Sequence, residues 1–142
     1  MRPKSIQLFE RLYLASIALT LIATALGWDA LVRGATIPGA EGGAAAVAGI
    51  AIGVVVLVQV VIWYFVAKRG SSVAKWAAVL FFLLNLWGIG ATVQLATGGS
   101  LPSVLTMAAR IVELAAIVML FRADAKPWFA YDDEEEIDTP TP

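Results

Sequence analysis

Four apolar runs, each about as long as the helix needed to cross ~30 Å of hydrocarbon, constrain this chain more than any other feature. They cover about residues 12–28, 44–67, 73–97 and 102–121. Lipid offers backbone groups no water, so a spanning segment must satisfy its own N–H and C=O groups as a helix or join a closed barrel. Runs of this length without strict alternation predict helices. The expected architecture is an all-α polytopic membrane protein, a bundle of four transmembrane helices. The composition agrees, since 60% of the 142 residues are apolar and only 15% are charged, too few to coat a soluble core. Residues 1–131 form one expected transmembrane domain. The run 54–66 is rich in β-branched residues, yet its length and its place between span signals favour helix.

Lysine and arginine orient the spans. Arg2, Lys4 and Arg11 precede the first, Lys68, Arg69 and Lys75 separate the second from the third, and Arg122 and Lys126 follow the fourth. The opposite side has Arg33 alone. The positive-inside bias puts both termini in the cytoplasm of a cell whose inner, plasma membrane holds the protein, and an even number of spans agrees. The first run ends near Ala23-Thr24-Ala25, which fits a small-residue cleavage site, but it is expected to stay as a span.

The inventory excludes much chemistry. Cysteine and histidine are both absent. That removes disulfides, thiol nucleophiles, imidazole bases and metal sites built on Cys or His. No phosphate-cradling loop or dinucleotide fingerprint occurs. The chain is expected to be no enzyme, to hold no cofactor or metal and to bind no nucleic acid.

Charge within the fourth run is the exception to its apolar character. Arg110 lies roughly 12 Å inward from Pro102, and Glu113 roughly 12 Å from Phe121. On the insertion scale two central charges cost about 5–7 kcal/mol, whereas eight Leu, Ile, Val or Phe residues return about 2.5–5. The helix is marginal alone and needs its charges answered. Ser103, Thr106, Arg110, Glu113 and Ile117 follow three-four spacing, so they share one face. Arg110, Glu113, Asn85, Gln59 and Thr106 are therefore the candidate intramembrane polar site, with Ser16 and Thr20 at compatible depth. One expectation is an ion pair that fixes helix rotation. The other is a site for an anion, a headgroup or a proton relay.

Small and hydroxylated residues mark packing faces. Ser16, Thr20 and Thr24 recur every fourth residue in the first span, and Ala45, Gly49 and Gly53 do so in the second. Both patterns permit close helix contact. In the third span Asn85, Gly88 and Thr92 form a stripe, with Gln94 nearer the outer end and Trp87 near the middle. Trp28, Trp63, Tyr64 and Trp76 suit interfacial belts. Residues 29–43 are expected to form an outer loop turning at Pro38-Gly39. Ser100 or Ser103 is expected to cap the fourth helix, with Pro102 in its first turn. Residues 122–131 suit the inner membrane surface. Residues 132–138 hold six acids in seven positions, and the tail 132–142 is expected to be disordered.

The opening Arg2-Pro3-Lys4-Ser5-Ile6, with Phe9-Glu10 and Leu12-Tyr13-Leu14, and the closing Leu120-Phe121-Arg122 with Trp128-Phe129, resemble small uncharacterised four-span proteins of bacterial inner membranes. That resemblance implies layout alone and carries no activity. Small multidrug transporters have similar size and span count but depend on a first-span Glu, where this chain has only Glu10 at the edge. The expected role is an accessory or scaffold subunit that associates in the bilayer with other membrane proteins or with itself. The alternative is a small carrier or channel built on Arg110 and Glu113.

Overall fold

The computed structural model describes residues 3–36, 41–87 and 99–135. All regular structure among them is helical: α1 Lys4–Leu26, α2 Trp28–Ala35, α3 Ala44–Tyr64, α4 Ser72–Trp87, α5 Leu101–Met119 and α6 Lys126–Glu135. Short 3-10 turns at Glu41–Gly43 and Ala123–Ala125 lead into α3 and α6. Three helices are long and apolar enough to cross a membrane: Lys4–Leu26, Leu101–Met119, and α3 together with the π-helical turn Phe65–Arg69 that continues it. At about 1.5 Å per residue, the shortest of them reaches roughly 29 Å, close to the ~30 Å of hydrocarbon. The described part of α4 is shorter, roughly 24 Å on the same rise. The rest of the expected third span, with Gly88, Thr92 and Gln94, lies outside the described residues.

Each helix starts and stops where the sequence provides a reason. Pro3 precedes α1, and nothing from Lys4 onward interrupts it until Gly27, whose N–H closes on Ala23 O at 2.9 Å. Gly27 also lets α5 approach, since a Cβ there would meet Ala23 O at 3.2 Å and Pro102 Cβ at 3.3 Å. The end of α3 is set by Gly70, in the left-handed region at φ 67°, which an L side chain adopts only with strain. A Cβ on Gly70 would also collide with the carbonyl oxygen of Trp128.

The expected outer loop differs in one respect: residues 28–35 coil into the helix α2. Asp29 in its first turn and Arg33 in its last complement the helix dipole, and Thr36 Oγ1 donates to Val32 O at 2.8 Å. Pro38 and Gly39 lie outside the described residues. The expected hydroxyl cap of α5 is also corrected. Ser100 occupies the cap position, but its hydroxyl pairs with that of Ser103 at 2.6 Å instead of capping a backbone amide. Pro102 does sit in the first turn.

Packing centres on α1 and α5, the most extensively contacting pair of helices. Ile6, Phe9, Tyr13 and Ile17 of α1 share a core with Ala116 of α5 and Leu120 just beyond it, Ile62 and Val66 from α3 and the following turn, and Phe129 from α6. Phe9 and Tyr13 stack at 5.1 Å between centroids. Outward faces of the long helices are largely apolar: Leu14 and Leu21 on α1, Ile50 and Leu57 on α3, Leu80 and Leu84 on α4, and Ile111 and Val118 on α5 are exposed. The buried set holds Ser5, Ser16, Gln59, Ser103 and Glu113. A soluble monomer rarely exposes contiguous apolar surface on this scale.

The far end of the chain folds back onto its beginning. Ser5 N–H donates to Asp124 Oδ2 at 3.1 Å, and Trp128 Nε1–H donates to Val66 O at 3.0 Å. These bonds seat the turn Ala123–Ala125 and the start of α6 against α1 and the end of α3. The helix α6 runs on to Glu135, into the acidic run, and residues 136–142 lie outside the described part.

Candidate polar site within the bundle

Arg110 is the middle residue of α5, and Glu113 follows it by less than one turn. Arg110 Nη1 donates to Glu113 Oε2 at 2.5 Å, with the two side chains 12% and 2% exposed. The stripe foreseen from spacing faces the core, with Ser103, Glu113 and Ile117 buried and Thr106 and Arg110 half-buried. Charged groups removed from water need both a counter-charge and hydrogen bonds for their remaining atoms. Glu113 has the first and lacks the second, because its Oε1 is buried without a partner.

Two contacts at opposite ends set the antiparallel register of α1 and α5: Ser5 with Asp124, and Gly27 with Pro102. At equal rise along both helices, Ser16 stands level with Glu113. Two more contacts set α1 and the adjoining start of α2 against α3. Lys68 Nζ donates to Glu10 Oε1 at 3.1 Å, and Trp28 lies against Gly49, where a Cβ would meet its ring at 3.7 Å. That register brings Gln59 level with residues 18 and 19, one turn or less from Ser16. Ser16, Gln59, Arg110 and Glu113 thus occupy one layer across three helices. Tyr13 is fully buried one turn inward and lies within electrostatic reach of both Glu113 and Arg110.

The polar neighbours do not close around the pair. Ser16 Oγ donates to Tyr13 O at 2.8 Å, Thr20 Oγ1 to Ser16 O at 2.9 Å, Thr106 Oγ1 to Pro102 O at 2.8 Å, and Asn85 Nδ2 to Phe81 O at 2.7 Å. Each bond returns to the donor's own helix, the usual outlet for a short polar side chain inside a helix. Gln59 Oε1, Tyr13 OH and Trp63 Nε1 are buried without partners, as Glu113 Oε1 is. A buried polar atom left so costs about 1–3 kcal/mol. Tyr13 and Trp63 are additions that sequence reasoning missed. Sequence alone marks Trp63 as a belt ring and gives Tyr13 no role, whereas the polar atoms of both are buried.

The small-residue faces separate. Ser16 is buried, Thr20 and Thr24 are half-buried, Gly49 is half-buried beside Trp28, and Ala45 and Gly53 are exposed. A Cβ on Gly53 would meet no atom within 4 Å. Among the described residues no group of three or more acidic side chains could hold a metal ion. Comparison with known proteins gives no relative: neither a family model, nor a curated protein, nor a solved structure matches this sequence.

Proposed function

We propose that this is a non-enzymatic four-span protein of a bacterial inner membrane, with both termini in the cytoplasm, acting as an accessory or scaffold subunit against other membrane proteins or itself. The outward face of α3 supports this. Val47, Ile50, Val54, Leu57 and Val61 follow strict three-four spacing and are all exposed, with Gly53 open among them. In lipid, apolar area alone does not join helices, whereas a small residue that admits a neighbouring backbone does. The one charged pair of the core turns away from this face, so it places no charge in the way of a partner. The chain has no cysteine, so a Gly53→Cys variant carries a single thiol. In native membranes it should cross-link to a second copy or to a discrete partner. A thiol that reacts with soluble reagents but never cross-links, together with unchanged sedimentation of Gly53→Leu, defeats the scaffold role.

A second role, as carrier or proton path, is favoured by the unpartnered Glu113 Oε1, Gln59 Oε1 and Tyr13 OH. Buried polar atoms without partners are expected along ion and proton routes. Proteoliposomes would show flux that Glu113→Gln and Arg110→Leu abolish. Equal flux in these variants, or none with any ion or small solute, eliminates that role.

A further inference from the structure

A cavity of about 280 Å³ lies where α4 begins, α5 ends and α6 begins. Its polar wall is Ser72, Lys75 and Lys126, and its apolar wall includes Leu120, Phe121 and Phe129. Two other bases at this end of the bundle have acidic partners: Lys68 pairs with Glu10 at 3.1 Å and Arg122 with Asp124 at 3.9 Å. Lys75 and Lys126 have none among the described residues. Lys75 is instead held among aromatic faces, its Nζ 4.9 Å from the Phe129 ring centre, 5.5 Å from that of Phe121 and 5.9 Å from that of Trp76. Such contacts fix the ammonium in place without cancelling its charge. The first turns of α4 and α6 contain no acid, so the positive ends of both helix dipoles add to the same field.

We infer that this cavity is a binding site for the phosphate headgroup of an anionic phospholipid. This rests on the chain being a membrane protein with this end on the cytoplasmic side. Two lysines without an acidic partner among the described residues, with two helix N-termini, attract a phosphate, and basic pockets between membrane helices on that side recognise such headgroups. The apolar rim favours a lipid over a free anion. Trp76 and Phe121 meet edge to face at 5.8 Å, and both rings are exposed where an acyl chain would leave the headgroup. Ser72 Oγ donates to Phe129 O at 3.4 Å, tying the α4 start to the wall formed by α6.

The test is native mass spectrometry of the full chain released from bilayers of phosphatidylcholine with a minor share of phosphatidylglycerol. The expected result is retention of one phosphatidylglycerol per chain. In Lys75→Gln with Lys126→Gln retention should fall about 30-fold, roughly fivefold for each lysine. Lys68→Gln, whose partner is Glu10, should retain the lipid as the native chain does. Circular dichroism of each variant checks that helix content is unchanged, and Lys75→Arg, which keeps the charge, should retain the lipid as the native chain does. Equal retention of both lipids, or undiminished phosphatidylglycerol in the double variant, overturns the site. Capture of inorganic phosphate without lipid assigns it to a soluble anion and overturns the lipid. A chain that stays out of vesicles refutes the membrane role itself, which is read separately by flotation.

Discussion

Arg110 and Glu113 hold one another through Arg110 Nη1 and Glu113 Oε2 on the inward face of α5, and among the described residues no other side chain completes the pair. The ion pair is thus a property of one helix, carried with it wherever α5 packs. Breaking it from one side leaves a buried charge. Arg110→Leu should destabilise the fold by about 3–5 kcal/mol, whereas Arg110→Leu combined with Glu113→Leu should recover most of that loss. Unfolding in bilayers, followed by forced-separation or denaturant assays, measures both. Equal destabilisation in the single and double variants would mean that the pair is not compensated within α5.

Tyr13→Phe makes the opposite prediction. The hydroxyl is buried without a partner, so its removal should leave stability unchanged or raise it by about 1 kcal/mol. A loss above 1 kcal/mol in the same unfolding assay would reveal a bonded hydroxyl. If the polar layer carries solute, the variant should lose flux while keeping stability, which separates the two proposed roles.

Gly70→Ala should detach α6 from the bundle. The left-handed backbone alone costs an L residue about 1–2 kcal/mol, and the added Cβ meets the Trp128 carbonyl. Hydrogen exchange at residues 126–131 should rise, and Trp128 emission should move to the red. Trp128→Phe, which deletes the Nε1–H bond to Val66 and the ring edge over Gly70 but leaves the backbone unstrained, should produce a smaller rise. Unchanged exchange in Gly70→Ala would show that α6 does not lie against that turn.

The junction of the chain ends should loosen in acid. The Ser5 backbone N–H bonded to Asp124 holds that carboxyl below its usual value of 3.8. A lowered folded value means that the carboxylate form favours the folded state, so the contribution is complete above 3.8 and is lost as pH falls through the lower folded value. The Ser5 amide should therefore show a titrating chemical shift below pH 3.8, and Asp124→Asn should abolish that titration. A shift unaffected by Asp124→Asn would assign it to another group.

The span-length helices α1, α3 and α5 were legible because length and hydropathy, the properties that fit a helix to lipid, are displayed by a linear sequence. The inward stripe of α5 was legible too, because spacing alone determines which residues share a helical face. Partner choice was not. That α1 packs chiefly on α5, and that Asn85, Ser16 and Thr20 bond their own helices, depends on rotations set by Gly27, Pro102 and the tail contacts far apart in sequence. The helix α2 escaped for a different reason: at eight residues it is below the length at which periodicity separates from chance. Trp128 reads as an interfacial aromatic until Gly70 supplies the opening that lets it reach Val66.

The register of α1 against α5 also has a consequence in time. Ser16 is made 97 residues before the Glu113 that stands level with it. At about 5–20 residues per second of synthesis, the inner face of the first helix waits roughly 5–20 seconds for its counterpart. During that interval Tyr13 and Ser16 face lipid, the translocation machinery or α3. The bundle is completed only as α5 arrives, and the Ser5–Asp124 bond closes only once Asp124, 119 residues after Ser5, has been made. Nascent chains arrested before α5 should therefore be handled by the cell as unfinished, however well their first two spans have entered the bilayer.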